Sequence, residues 1–127
     1  MGTVLVVDDD DDIRRLVARA LAEHHEVREA RDAKEALAAL EAGDPDVIVC
    51  DVMMPAETGL EFARRIRSAG KKIPVVFLTA KASPLDVVEG INAGARAYVT
   101  KPFKLAPLVE RIDRIIAGRK SQPAKAG

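Results

Sequence analysis

The sequence predicts an α/β domain in which a five-stranded parallel sheet is covered by helices on both faces. Short runs rich in β-branched residues alternate with longer segments of helical apolar spacing, and five such strand–helix pairs follow in order. Three of the short runs are apolar almost without interruption, which is typical of strands that are buried on both sides. Right-handed crossovers between parallel strands then place helices on both faces of the sheet.

Each predicted strand is a short run bounded by polar or turn-forming residues. The first, third and fourth runs are the apolar ones, and Pro74 is tolerated because it comes first in its strand. The second run, "HEVREA", alternates between polar and apolar residues, so we expect it to be more exposed. The predicted strands are 3–7, 25–30, 46–50, 74–79 and 97–100.

The predicted helices have the apolar spacing of amphipathic segments. Glycines follow the second and third helices, and "SPLD" at 83–86 combines an N-cap serine, a first-turn proline and an acid three residues on. The predicted helices are 11–23, 33–43, 58–68, 83 to about 94, and 105 to about 117. The apolar face of the first helix is expected to consist of Ile13, Leu16, Val17, Ala20 and Leu21.

Composition excludes several classes of protein. The 20 acidic and 20 basic side chains give a formal net charge of zero, which argues against direct binding of nucleic acid through bulk charge. Cys50 is the one cysteine, no run is long and apolar enough to span a membrane, and we expect no secretory leader because residues 1–20 lack a basic segment followed by a long apolar run. We therefore expect a soluble cytoplasmic domain over residues 1–118, followed by a flexible tail or truncated linker over 119–127.

Reactive side chains follow four of the predicted strands. Asp8 and Asp9 come directly after the first strand, Asp51 follows the third, Thr79 ends the fourth and Lys101 follows the fifth. Because ligands of such sheets bind beyond the carboxyl ends of the strands, we expect these side chains to meet at one edge. The sequence thus predicts a site with three carboxylates, a hydroxyl and an ammonium group.

Three crowded carboxylates need a compensating cation, and hard oxygen ligands suit Mg²⁺. Asp51 could then act as a carboxylate nucleophile in phosphoryl transfer, with Lys101 neutralising charge and Thr79 donating a hydrogen bond. The next three aspartates, 10–12, have an ordinary explanation, since acids near a helix N-terminus cap it and favour its dipole. Cys50 is expected to pack as a small hydrophobic residue.

The sequence resembles the receiver domain of two-component response regulators, the CheY-like family, over residues 3 to about 117. Four segments carry the resemblance, and their order and spacing make it specific. They are "VLVVDD" at 4–9, "DVIVCDVMMP" at 46–55, "PVVFLTA" at 74–80 and "AYVTKPF" at 97–103. The resemblance implies a flavodoxin-like (βα)5 fold with strand order 2-1-3-4-5.

The resemblance also implies a phosphoacceptor site. Asp51 would accept a phosphoryl group from a phosphohistidine on a sensor histidine kinase or phosphotransfer protein. Asp9 would ligate Mg²⁺ (or Mn²⁺ as a substitute) directly, Asp8 largely through water, and Met53 through its backbone carbonyl. Such a protein is a signalling phosphoacceptor rather than an enzyme acting on other substrates.

A switch is implied as well. Thr79 and Lys101 would contact the phosphoryl group, Tyr98 would change rotamer on activation, and the Lys101–Pro102 peptide bond would be cis. The surface of the predicted 83–94 helix, the fifth strand and the last helix would then signal to an effector protein or effector domain. A homodimer through that same surface is left open.

Some positions depart from the usual family pattern. Thr58 stands where an aspartate is common before Gly59, although it removes no active-site group. Met53 and Lys81 occupy positions where the family tunes loss of the phosphoryl group, and bulky Met53 predicts moderately slow hydrolysis. Two alternatives stay open: an interaction module that is never phosphorylated, and a small Mg²⁺-dependent phosphohydrolase.

Overall fold

The computed structural model describes residues 2–80 and 95–121. The predicted helix at 83–94, together with Lys81, lies outside the described residues. The elements within them alternate as expected from the apolar runs. They are β1 (Thr3–Val7), α1 (Asp11–Leu21), β2 (Glu26–Ala30), α2 (Ala33–Glu41), β3 (Val47–Asp51), α3 (Gly59–Ser68), β4 (Val75–Thr79), β5 (Ala95–Thr100) and α4 (Leu105–Ser121).

The five strands form one sheet in the order β2-β1-β3-β4-β5, and every neighbouring pair is parallel. This confirms the predicted α/β class and strand order. The order reverses at β1, whose neighbours are β2 on one side and β3 on the other. The carboxyl ends of β1 and β3 therefore flank the position where ligands bind in open parallel sheets.

Two apolar cores lie on opposite faces of the sheet, as predicted. One face of the sheet packs against α2 and α3, and the other packs against α1 and α4. β3 and β4 are buried along their whole length, while β2 at the sheet edge is partly exposed. The largest side chains of these cores with almost no exposure include Phe62, Phe77, Leu21, Ile48 and Ile112.

The predicted apolar face of α1 was partly wrong. Leu16 is 52% exposed, whereas Arg14 and Ala18 are buried with Val17 and Leu21. The buried face thus includes Arg14 in place of Leu16, and contacts with Asp11 and Glu29 stabilise the Arg14 charge there.

Several element ends also differ from the predicted ones. β5 begins at Ala95 rather than at 97, and its register with β4 shifts between Val75 and Val76. The last helix continues to Ser121, beyond the predicted end near 117. Within the described ranges, no helix combines the length and the apolar character needed to cross a bilayer.

Candidate functional site

Three carboxylates meet at the carboxyl edge of the sheet, where strand-end reasoning predicted them. Asp8, Asp9 and Asp51 each offer an oxygen, and these oxygens all lie within 4.8 Å of one another. Asp8 and Asp51 are buried, and Asp9 is exposed. Among the described residues this is a cluster of hard oxygen donors with one side open to solvent.

Asp10 to Asp12 have the capping role that was predicted for them. The Asp10 side chain accepts hydrogen bonds from the backbone N–H groups of Asp12 and Ile13, at 3.0 and 3.2 Å. Asp11 and Asp12 lie in the first turn of α1, where negative charge favours the helix dipole. The run of five aspartates therefore divides into a site (Asp8 and Asp9) and a helix start.

Lys101 brings a cation to the carboxylates from the segment between β5 and α4. Its Nζ lies 3.2 Å from Asp8 Oδ2 and 3.5 Å from Asp51 Oδ2. Its backbone N–H donates to the Thr79 carbonyl at 2.7 Å, and the peptide bond between Lys101 and Pro102 is cis. The side chain thus bridges the ends of β1 and β3 although it comes from the far edge of the sheet.

The site holds more acidic than basic groups, with three carboxylates and the Lys101 ammonium group among the described residues. Burial, and then the neighbouring Asp8 carboxylate, raise the pKa of Asp51 to about 6, although Lys101 acts in the opposite direction. Burial would lower the pKa of Lys101, but Asp8 and Asp51 raise it above its ordinary value. One ammonium group does not fully offset the crowded carboxylates, so the site would be stabilised by a further cation.

The donor set fits Mg²⁺. This ion prefers oxygen ligands and commonly takes one or two protein carboxylates, with water and phosphate oxygens completing its shell. Asp8, Asp9 and Asp51 supply such carboxylates, and the open side at Asp9 leaves room for the other ligands.

The turn after β3 determines how Asp51 is presented. Asp51 is the last residue of β3, and its Oδ1 accepts a hydrogen bond from the Met53 N–H at 3.1 Å. Met53 is 67% exposed, so its side chain is not held in the core. Gly59, the first residue of α3, donates its N–H to the Val52 carbonyl at 2.9 Å and closes the loop.

Thr79 and Tyr98 lie on the two neighbouring strands at this end of the molecule. Thr79 is buried at the end of β4 and is paired in register with Thr100. Tyr98 on β5 is half-buried, and its ring packs on Phe77 with 5.4 Å between centroids and a 42° tilt. The assignment of these two residues to a switch stays a prediction.

Two residues that the sequence did not assign to the site support it from outside. Thr58 is the N-cap of α3 and forms a reciprocal capping box with Glu61, a signal that the T-x-x-E spacing carries. Arg14 on α1 is buried and donates a hydrogen bond to the Asp8 carbonyl at 3.1 Å. Arg14 also pairs with Asp11 on its own helix, but its contacts with Asp8 and Glu29 join different elements, and no periodicity in the sequence indicates them.

The basic residues around α3 form a solvated surface. Arg65 pairs with Glu57 and Lys71 pairs with Asp44, both at 2.7 Å. Surface pairs of this kind contribute little to stability. Nothing in this surface requires a nucleic-acid partner.

Known proteins resemble this chain in sequence. The family model described as the response regulator receiver domain matches residues 4–113. The transcriptional regulatory protein TrcR of Mycobacterium tuberculosis is 45% identical over 112 residues, which cover 86% of this chain and 43% of that protein. The response regulator MprA of Mycolicibacterium vanbaalenii is 41% identical over 114 residues, covering 89% of this chain and 49% of that protein. The chain thus spans about half the length of these curated relatives.

The fold has solved counterparts as well. The chemotaxis protein CheY4 of Vibrio cholerae superposes with a TM-score of 0.83 at 39% identity, covering 91% of this chain and 98% of that chain. The family match spans most of the chain and includes each strand that ends at the acidic cluster. The chain therefore belongs to the response regulator receiver domain family, whose members are signalling proteins of two-component systems.

Proposed function

We propose that this domain is a phosphoacceptor and that Asp51 is the residue modified. An Asp51 carboxylate oxygen forms a bond to the phosphorus of a phosphohistidine on a sensor histidine kinase or phosphotransfer protein in the cytoplasm. The P–N bond breaks, and its electron pair stays on the imidazole nitrogen. Since the pKa of Asp51 is about 6, its carboxylate is largely ionised at neutral pH and loses no proton in this step.

The observation that carries the proposal is the convergence of unlike groups on Asp51. An ammonium group lies 3.5 Å from one of its oxygens, a backbone N–H lies 3.1 Å from the other, and two further carboxylates adjoin it. Crowded acids with one short cation contact are costly for a structural core alone. They are expected where a divalent ion and a phosphoryl group share a site.

Asp8, Asp9, Asp51 and the Met53 backbone carbonyl would hold Mg²⁺ or Mn²⁺. Such an ion supplies positive charge that neutralises the phosphoryl oxygens as the transfer proceeds. Lys101 neutralises the same oxygens from its own position beside Asp8 and Asp51. The exposed Met53 side chain hinders a water molecule approaching the acyl phosphate, so we expect moderately slow hydrolysis.

The conformational response to phosphorylation begins at the Thr79 hydroxyl. Phosphorylation adds about −1.5 to −2 charges at one point. The Thr79 hydroxyl donates a hydrogen bond to the new phosphoryl oxygens, and this draws the end of β4 toward Asp51. Tyr98 then changes rotamer, which alters the surface of the predicted 83–94 helix, β5 and α4 and thereby signals to an effector.

The effector is proposed to be a protein or a second domain rather than nucleic acid bound by this domain. TrcR is named a transcriptional regulatory protein and is about twice as long as this chain, which supports an effector domain in relatives of that length. The zero net charge of this chain also disfavours direct contact with phosphate backbones.

A titration with beryllofluoride and Mg²⁺ followed by amide NMR tests the proposal. We expect saturable shifts around Asp51 and Lys101, together with shifts at Tyr98 and along α4. The Asp51→Asn variant is the matched control and should show none of them. Absence of binding in the wild type would favour the interaction module that is never phosphorylated. Turnover of ordinary phosphomonoesters would favour the phosphohydrolase.

A further inference from the structure

Arg14 is a buried cation on the first turns of α1. Only 6% of the residue is exposed, which is unusual for arginine unless its charge is paired. Its Nε lies 3.0 Å from Glu29 Oε1 on β2, and its Nη1 lies 2.6 Å from Asp11 Oδ1. The same Nη1 donates a hydrogen bond to the Asp8 backbone carbonyl at 3.1 Å.

These contacts fix the main chain at the point where β1 passes into the acidic cluster. The Asp8 N–H donates to the Ala30 carbonyl at 3.1 Å, and the Asp8 carbonyl accepts from Arg14. The Asp8 side chain in turn accepts from the Asp10 N–H at 2.9 Å. The peptide before Asp8 is therefore held by β2, and the peptide that joins Asp8 to Asp9 is held by the Arg14 guanidinium.

The charge of Arg14 is already matched by its own partners. Burial would lower the pKa of Arg14, but the hydrogen bonds with Asp11 and Glu29 raise it above its ordinary value. The N–H donors of this guanidinium are divided among two carboxylates and a carbonyl. Because the group is planar and rigid, these contacts fix its orientation. Its contribution to the site is therefore geometric rather than an attraction for phosphate.

We propose that Arg14 is a positioning residue that sets the directions in which the Asp8 and Asp9 carboxylates face a divalent cation. The inference rests on the proposed Mg²⁺ site and adds to it a residue that binds neither the ion nor the phosphoryl group. Groups that orient metal ligands from outside commonly change metal affinity by roughly 10- to 100-fold when they are removed.

A geometric role and an electrostatic role of Arg14 predict opposite effects of its substitution on Mg²⁺ affinity. If Arg14 acted through its charge, removing a cation near the site would make Mg²⁺ bind more tightly. If Arg14 acts by holding the Asp8 carbonyl, the same substitution frees the loop and weakens binding. The neighbouring Arg15 is exposed on the same helix and provides a matched control for the loss of one positive charge.

The experiment is a Mg²⁺ titration of the wild type, Arg14→Met, Arg14→Lys and Arg15→Met, followed by the amide resonances of residues 8–10. Thermal unfolding without Mg²⁺ is measured alongside, to separate lost stability from lost affinity. We expect the Mg²⁺ dissociation constant to rise roughly tenfold in Arg14→Met. Arg14→Lys keeps the charge but loses the planar set of guanidinium N–H donors, so it should also weaken Mg²⁺ binding. Arg15→Met should leave Mg²⁺ binding unchanged.

Each outcome decides the question. Binding to Arg14→Met that equals or exceeds the wild type overturns the inference and leaves the proposed function intact. If Arg14→Met does not fold, Arg14→Lys decides, and wild-type affinity in that variant overturns the inference. A wild-type protein that binds no Mg²⁺ overturns both the inference and the proposed function.

Discussion

Gly59 lies against the backbone of Asp51 so closely that no side chain fits between them. A Cβ atom placed on Gly59 would be 2.2 Å from the Asp51 carbonyl oxygen and 3.1 Å from Cys50 Sγ. Since Cβ atoms do not approach backbone this closely, Gly59→Ala must displace either α3 or the end of β3. We expect a loss of roughly 1–3 kcal/mol in unfolding free energy, as for other overpacked sites. Chemical denaturation measures it.

Gly118 on α4 provides the control, because a Cβ there would meet nothing within 4 Å. Gly118→Ala should stabilise the protein by up to about 1 kcal/mol, since alanine is the better helix former. If Gly59→Ala is as stable as the wild type and leaves the Asp51 resonances unchanged, the close approach has no consequence for the site.

The ionised Asp51 carboxylate should destabilise the metal-free protein. Its pKa of about 6 exceeds the ordinary 3.8, so the folded state binds more protons than the unfolded state between these values. Stability contributed by this group therefore falls as the pH rises through this window. Asp51→Asn should be more stable than the wild type by roughly 1–3 kcal/mol at pH 7.5 in EDTA, and the gain should vanish near pH 4.

Thermal or urea unfolding across pH 4–8 tests this prediction, with Glu23→Gln as an exposed control. Adding Mg²⁺ should reduce or reverse the difference, because a ligand stabilises the form that binds it more tightly. If Asp51→Asn is less stable than the wild type at pH 7.5 in EDTA, the ionised Asp51 carboxylate does not destabilise the metal-free protein and the prediction is wrong.

The Thr58 cap should stabilise α3 and the loop that carries Met53. The Thr58 Oγ1 accepts from the Glu61 N–H at 3.2 Å, and Glu61 accepts from the Thr58 N–H at 3.0 Å. Thr58→Ala should cost about 1 kcal/mol, whereas Thr58→Asp retains a capping oxygen and should cost little. Equal losses in both variants, measured by urea unfolding, would show that the cap is not the cause.

The Cys50 thiol should be unreactive in the native protein. It is fully buried in β3, and burial, with Asp51 and Asp8 nearby, raises its pKa well above the ordinary value. A thiol reagent at pH 8 should label it only at the rate of unfolding, since the thiolate is the reactive form. Guanidinium-unfolded protein serves as the control and should react at once, and equally fast labelling of the folded protein would contradict this placement.

The sequence predicted the acidic site well because parallel strands bring their carboxyl ends to one edge. Asp8 and Asp51 needed only correct strand ends to be placed together, and each strand was marked by an uninterrupted apolar run. Lys101 followed from the same rule although it comes from the far edge. These positions depend on local pattern and topology, both of which the sequence carries.

Arg14 and Leu16 are positions on α1 whose burial the apolar spacing does not predict. Apolar spacing placed Leu16 on the buried face of α1, yet Leu16 is exposed and Arg14 is buried. Arg14 contacts Glu29 of β2, a residue 15 positions further along the chain. Pairing between side chains of different elements leaves no periodic signal, so it becomes visible only once the elements are packed.

The intact mass of the protein after incubation with acetyl phosphate and Mg²⁺ tests the phosphoacceptor role of Asp51 most directly. We expect addition of one phosphoryl group to the wild type, and none to Asp51→Asn or to the wild type in EDTA. A folded wild-type protein that gains no mass, or an Asp51→Asn variant that gains as much as the wild type, would contradict it.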